Sequence, residues 1–436
     1  MRLGKAVAAN PRKIMGMTGR MRSRMVRIAR HSPFSITAKR KLAEFKKLNP
    51  MRELPKPVEG RPVRILINGI HAKSGGGVTY LRDILPEFAA RNGAEIHLFL
   101  HESQFAYFHP LPETIRVSLF NFRPTLVRTL IWEQFAIPVL AWAMGADAVF
   151  SPANYGPLFA RNHVIMLRNA VAVLQIARSW NQKLYWLAMT FATFLSLATC
   201  RRAIAVSDYA RQSLTFGFKR LLGRKVRIVH HGSRFAEIVQ NVRRKQSAFL
   251  LAVSDIYVQK NYHSLIDAFA ILARRHPDIE LRIAGRELDA EYTESLKAQV
   301  QRLALQDKVS FLGHVSVRDL EVLYSTCSVF IFPSTVETFG NPLVEAMACG
   351  AAITGSCVTS IPEILGDAGL LFDPHDPADM AVKIELLMED EALRSEKRAR
   401  AKERAREFSW HATAEQTLAV LNEAMGPLSP RLRRPR

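Results

Sequence analysis

The chain has 436 residues, 48% hydrophobic and 23% charged, the composition of a globular protein with length for about two or three domains. Its four cysteines (Cys200, Cys327, Cys349, Cys357) contain no C-x-x-C pair, which excludes a disulfide scaffold and a zinc module, and only residues 184–200 approach the length of a membrane span. The net charge of +22 suggests a nucleic-acid or membrane-surface binder, yet residues 1–60 carry +13 of it, residues 427–436 carry +4, and everything between carries only +5.

Residues 1–60 read as a basic N-terminal arm. Its cations interleave with Met15, Met17, Met21, Met25, Val26 and Ile28, a pattern suited to lying on anionic lipid. A solvated tail is the plainer reading, with Met51 a second candidate start. From Val63 onward, apolar runs at 63–70, 96–100, 115–120, 146–150, 164–167, 203–206 and 226–229 alternate with helix-length stretches. This rhythm predicts βαβ units and a parallel sheet with helices on both faces. Within residues 184–200, Thr190, Thr193, Ser196 and Thr199, closed by Arg201 and Arg202, predict a buried or interfacial helix. The rhythm pauses at a polar, basic linker, 237–246, and resumes at 249–253, 281–284, 309–312, 329–332, 352–354 and 370–372. The predicted organisation is two doubly wound α/β domains, 61–236 and 247–408, followed by a helix at 409–426 and a basic tail at 427–436. Such sheets bind ligands beyond the carboxyl ends of their strands, so the cleft between the domains is the predicted site.

The most informative segment is 328–373. Its strand, 329–332, ends at Pro333-Ser334 and enters a loop carrying Glu337, Gly340 and Asn341; Pro342 then opens a helix that Gly350 stops. Free N–H groups at that helix start point back toward the strand end, an anion site suited to phosphate. Glu337 in the loop and Glu345 one turn into the helix can face the same pocket, and carboxylates accept the paired hydrogen bonds that polyols supply.

The string Pro333-Ser334-x-x-Glu337-x-Phe339-Gly340-x-Pro342-x-x-Glu345-Ala346-Met347-Ala348-x-Gly350 resembles the E-x7-E signature of the retaining glycosyltransferases of family 4. That family has the GT-B fold, two Rossmann-like doubly wound domains facing a cleft. Residues 311–313 ahead of Leu320 and Tyr324, Ile361-Pro362-Glu363, 367–374, the lysine loop 252–261 and Ile283-Ala284-Gly285 are also similar to it. The resemblance covers residues 249–410 well. It covers the first domain loosely, through Gly75-Gly76-Gly77 and residues 203–207.

The resemblance implies a nucleotide-sugar donor as substrate, a glycan or lipid-linked acceptor, and no cofactor or metal. It makes Glu337 the catalytic residue, contacting the donor sugar's hydroxyls, and gives the ribose to Glu345. Gly340 and Asn341 would offer backbone N–H groups to sugar or diphosphate, and Lys260 would neutralise the diphosphate. Stabilising the leaving diphosphate is the main catalytic need, and a lysine plus a helix N-terminus meets it. The resemblance further implies retention of anomeric configuration by front-side attack, so the two-carboxylate scheme of glycosidases does not carry over. It implies a C-terminal helix crossing back onto the first domain. It also implies work in cell-surface polysaccharide or lipopolysaccharide assembly, in the cytoplasm or at the inner membrane face, where the arm 1–60 would meet anionic lipid. Nucleic acid is not an expected partner.

Two departures stand out. Asp255 occupies a place where the family often has arginine, which makes Arg286 the candidate replacement for phosphate binding. Residues 166–169 replace the family's His-Asp, leaving Arg168 to serve the leaving group or an anionic acceptor, or to pair with an acid at the sheet edge. Gly76 and Gly77 lack Cβ and would let the backbone approach donor diphosphate and acceptor, or form a turn. They do not complete G-x-G-x-x-G, since Tyr80 takes the third place, and a nicotinamide-dependent dehydrogenase is disfavoured. His71, His230 and His231 fall at strand ends without metal spacing and are expected in capping or packing. A non-catalytic polyanion- or membrane-binding scaffold on a transferase fold stays open as the rival reading, and nucleoside-diphosphate binding separates the two.

Overall fold

The computed structural model describes residues 62–72, 76–91, 94–122, 125–168, 180–215, 217–218, 222–235 and 249–426. The basic arm, Gly75, the linker 237–246 and the tail 427–436 lie outside the described residues. Among the described residues, thirteen strands form two sheets, parallel throughout. The first holds β1 (Val63–Asn68), β2 (Ala94–His101), β3 (Arg116–Phe120), β4 (Ala148–Ser151), β5 (His163–Leu167), β6 (Arg202–Ala205) and β7 (Val226–Ile228), in the order β3-β2-β1-β4-β5-β6-β7. The second holds β8 (Phe249–Val253), β9 (Glu280–Ala284), β10 (Val309–Gly313), β11 (Val329–Phe332), β12 (Ile353–Ser356) and β13 (Leu370–Phe372), in the order β10-β9-β8-β11-β12-β13.

The central strands β1, β8 and β11 are buried along their whole length, because helices cover both faces of each sheet; this is why they read as unbroken apolar runs. Strand order reverses between β1 and β4 and again between β8 and β11. Those reversals leave crevices at the carboxyl ends of the strands, where loops can gather around a ligand.

Five helices matter for the site and its surroundings: α1 (Gly76–Ala89), α2 (Trp180–Thr199), α3 (Tyr262–Arg275), α4 (Asn341–Ala348) and α5 (Trp410–Met425). The Ser409 hydroxyl caps α5 by accepting from Ala412 N at 3.1 Å. That helix lies on the first domain. Tyr80 Oη of α1 is 3.4 Å from Thr417 Oγ1, and Glu423 forms ion pairs with Arg202 at 3.1 Å and Arg227 at 3.0 Å. The helix predicted within 184–200 is α2. Its first half is exposed rather than buried, and no described helix is long and apolar enough to cross a membrane.

Candidate functional site

Because β8 and β11 are neighbours, the loops leaving their carboxyl ends run side by side. Thr335 N donates to Gln259 O at 3.0 Å, and Asn261 Nδ2 donates to Pro333 O at 3.1 Å and Pro374 O at 2.7 Å. Asn261 does this from the left-handed region (φ 57°), which asparagine tolerates better than most residues. Thus clamped, Lys260 Nζ sits 2.6 Å from Glu337 Oε2, with both side chains largely buried. Burial opposes the ammonium charge of Lys260, but the carboxylate of Glu337 outweighs it and holds the lysine above its ordinary pKa. The rings of Tyr257 and Phe332 flank Nζ at 5.5 and 5.7 Å.

Gly340 carries the chain from that loop into α4 with φ 93° and ψ 63°. A Cβ there would lie 3.2 Å from the Phe332 ring and 3.6 Å from Glu337 Cγ, so the turn requires glycine on both conformation and space. Asn341 starts α4 and Pro342, which has no N–H, follows; Leu343 N and Val344 N donate back to Gly340 O at 2.9 and 3.4 Å, so the N–H groups of Gly340 and Asn341 lead the helix. One turn on, Glu345 accepts from Tyr324 Oη at 3.0 Å and lines a cavity of about 190 Å³ with Asn341, Asp83, Arg234 and Trp410. Burial pushes the Glu345 carboxyl up to about 7; the Tyr324 bond opposes this and the charge of Asp83 adds to it. Glu337 is not among the residues lining this cavity and points to Lys260.

The first domain reaches the same loop through a residue with no signature of its own. Thr338 Oγ1 donates to Arg168 O at 2.6 Å, and Thr338 O accepts from Ser207 Oγ at 2.6 Å. Arg168 follows β5, where its N–H donates to Asn154 Oδ1 at 2.8 Å and Nη1 donates to Pro152 O at 3.3 Å. Burial lowers its pKa to about 10, with Tyr80 acting in the opposite sense. Gly76 and Gly77 open α1 without positive φ. Added Cβ atoms there would sit 3.0 and 3.3 Å from the Arg168 guanidinium, so these glycines give room to an arginine. Sequence spacing alone did not reveal that the glycine loop and Arg168 form one unit.

Asp255, the departure at the lysine loop, and Arg286, its candidate replacement, are partners. Arg286 donates through Nε to Asp255 Oδ1 at 3.0 Å and through Nη2 to Oδ2 at 2.6 Å, a two-pronged pair. Burial would raise Asp255, but Arg286 holds its carboxyl below the usual range. The guanidinium is therefore engaged by a carboxylate beside the lysine loop.

Two of the histidines pair with carboxylates, and the third packs among aromatic rings. His71 Nε2 is 2.8 Å from Glu133 Oε1, a buried carboxylate that also accepts from Asn68 Nδ2 at 3.1 Å. His230 Nε2 lies 3.0 Å from Glu363 Oε1, and the same carboxylate accepts from Asp208 N at 2.8 and 2.9 Å, tying the two domains together. His231 is buried against Tyr80, Phe339 and Trp410, and burial lowers its pKa to about 3. Sequence reasoning missed Thr338, Asp83 and Glu133. Ser207 carried a faint signal, being a serine directly before a helix.

Residues 233–408 match the family described as glycosyl transferases group 1. The match spans the second domain. Among curated relatives, the serotype-specific mannosyltransferase WbdA of Escherichia coli is 34% identical over 183 residues, 41% of this chain and 22% of that protein. The O-antigen chain mannosyltransferase B of Escherichia coli is 30% identical over 236 residues, 51% of this chain and 61% of that protein. The chain thus spans less than two thirds of the length of either. The likeness in fold extends beyond the matched residues. Anabaena Alr3699/HepE, solved in complex with UDP and glucose, aligns over 83% of this chain and 100% of its own, with a TM-score of 0.64 and 20% identity. WaaG, a glycosyltransferase involved in lipopolysaccharide biosynthesis, aligns over the same shares with a TM-score of 0.64 and 15% identity. The two-sheet architecture is the GT-B fold.

Proposed function

We propose that the protein moves a sugar from a nucleotide-sugar donor to a glycan or lipid-linked acceptor, with retention of anomeric configuration, in the assembly of a cell-surface polysaccharide or lipopolysaccharide. The observation that carries this reading is the Lys260–Glu337 pair held beside the N-terminus of α4, with Glu345 one turn further on. In this reading, a donor diphosphate takes Lys260 from Glu337 and meets the free N–H groups of Gly340 and Asn341. Glu337, released, accepts hydrogen bonds from the donor sugar, and Glu345 accepts them from the ribose. As the glycosidic bond to phosphate breaks, Lys260 and the helix terminus stabilise the charge that gathers on the diphosphate. The acceptor hydroxyl attacks from the same face and loses its proton to the leaving phosphate. No step calls on a metal, so transfer should survive a chelator.

The mannosyltransferases among the relatives, one of them an O-antigen chain mannosyltransferase, and the UDP and glucose bound by a structural neighbour support this class of donor and acceptor. The test is a panel of uridine and guanosine diphosphate sugars, scored by hydrolysis and by thermal stabilisation. We expect one donor to be used, and Glu337→Gln to lower its turnover by about a hundredfold or more, a larger factor than its loss of folded protein, since the substitution also strands the Lys260 charge. Failure of every nucleotide and nucleotide sugar to stabilise the protein would favour the non-catalytic scaffold instead.

A further inference from the structure

Two helical stretches of the first domain turn their large apolar side chains outward. Between Leu126 and Ala143, Glu133, Ile137 and Ala141 are buried. On the opposite side, at helical spacing, Ile131, Phe135, Val139 and Trp142 are exposed, Trp142 to 84%. Helix α2 does the same. Trp180 (85% exposed), Leu184, Leu187 and Phe191 make one stripe with Tyr185 beside it, and burial starts only at Thr193, Ser196 and Leu197. Phe159, 77% exposed, stands on the loop between β4 and β5. That loop is held between the two stretches: Gln134 Nε2 donates to Gly156 O at 3.2 Å, Leu158 N donates to Gln134 Oε1 at 2.9 Å, and Gly156 N donates to Ser196 Oγ at 3.2 Å. Three neighbouring elements therefore carry the outward apolar groups.

A helix on a water-soluble surface ordinarily puts its apolar stripe on the core, and the reverse arrangement marks a surface that something else covers. Charge identifies the cover. Across residues 125–143, 152–162 and 180–199 the exposed ionic side chains are Arg128, Arg161 and Lys183; the sole carboxylate, Glu133, is buried against His71. A twofold pairing of this face with a second copy would set cation against cation with no carboxylate to answer them. An anionic bilayer supplies the missing charge, together with a headgroup zone in which Trp and Tyr rings settle. No described helix is long and apolar enough to cross a membrane, so the contact is with its surface.

We propose that this face seats the first domain on an anionic lipid surface. Trp142, Phe159 and Trp180 enter the headgroup zone, and Arg128, Arg161 and Lys183 meet lipid phosphates. The seat is built into the folded domain, separate from the basic arm, and stands whether or not the transferase reading holds.

The test is flotation of the full chain with vesicles of phosphatidylglycerol and phosphatidylethanolamine, against vesicles of phosphatidylcholine alone. The triple variant Trp142→Ser, Phe159→Ser, Trp180→Ser should lose on the order of tenfold in partition to the anionic vesicles with its unfolding midpoint unchanged. A second triple variant, Arg128→Gln, Arg161→Gln, Lys183→Gln, should also float less with anionic vesicles and the same with neutral ones. Brominated lipid should quench tryptophan fluorescence in the native chain and much less in the serine variant. Undiminished flotation of the serine variant overturns the proposal. That includes the cases in which the substitutions change only the molar mass by light scattering, pointing to self-association, or in which the arm 1–60 alone accounts for binding.

Discussion

Thr338 donates its hydroxyl proton to the backbone carbonyl of Arg168 at 2.6 Å, and through this bond the loop that carries Glu337 is fastened to the other domain. The Ser207 hydroxyl holds the same residue by its carbonyl. Thr338→Val keeps the shape and removes the donor. A lost hydrogen bond at such a site costs about 1–3 kcal/mol. On the proposed mechanism, kcat/KM should fall on the order of tenfold, with little change in nucleotide affinity, because the lysine and α4 are untouched. Steady-state kinetics alongside calorimetry with a nucleoside diphosphate checks this; an unaltered kcat/KM removes the bond from any role in closing the site.

The Lys260–Glu337 pair makes a separate prediction about stability. Both side chains are largely buried, so removing one partner strands a charge, at a cost of about 3 kcal/mol or more. Lys260→Met should therefore unfold well below the native midpoint. The double variant Lys260→Met, Glu337→Gln should recover most of that loss, while donor binding stays weak because the cation is still missing. Chemical denaturation of the four proteins in the cycle measures the coupling. Additive losses would mean that the two groups do not depend on each other.

The contrast between what could and could not be read from the sequence follows the range of the interactions. The central strands announced themselves as apolar runs because both faces of a covered parallel sheet are buried there, as in Phe249–Val253. The ends were less sharp: β1 stops at Asn68 rather than 70, since Gly69 and Ile70 already turn out of the sheet. Lys260, Gly340 and Glu345 were legible because a strand end, a glycine and a helix start fix them locally. Thr338 was not, because its partners lie 131 and 170 residues away and a bond across a cleft leaves no period in the chain. Asp83 reads as an ordinary helix acid until Arg234, far along the chain, folds over it. The outward stripe of α2 was half legible. Its apolar content suggested burial or an interface, but only the fold shows which side of the helix faces the sheet.

Gly340 offers a test confined to one methyl group. Its φ of 93° disfavours any L side chain, and the new Cβ would press on Phe332 and approach Glu337. Strain of this kind costs about 1–3 kcal/mol. Gly340→Ala should lower the unfolding midpoint modestly and displace the Glu337 loop, so turnover should fall by a larger factor than the population of folded protein does. Comparing activity with the folded fraction from circular dichroism decides; proportional losses would leave the loop geometry without catalytic weight.

Glu345 predicts how the protein responds to pH. Its carboxyl, ordinarily near 4.5, is raised to about 7, first by burial and then by Asp83, against the pull of the Tyr324 bond. Between those two values the unfolded chain has released this proton and the folded chain still holds it. The contribution of Glu345 to stability is thus present below the unfolded value and is lost as pH rises through the folded one. Replacement by glutamine removes the titration, so Glu345→Gln should gain stability relative to the native chain on going from about pH 5 to about pH 8. Part of the side chain is open to solvent, which screens and reduces the effect. Donor binding should move the other way. The carboxylate is the stronger acceptor for ribose hydroxyls, so affinity for an intact nucleotide sugar should strengthen through about pH 7 in the native chain and stay flat in Glu345→Gln. An intact nucleotide sugar suits the measurement because its diphosphate does not titrate over that range, unlike a free nucleoside diphosphate. Titration calorimetry across the range is the measurement, and a native affinity that does not change with pH would take Glu345 out of ribose recognition.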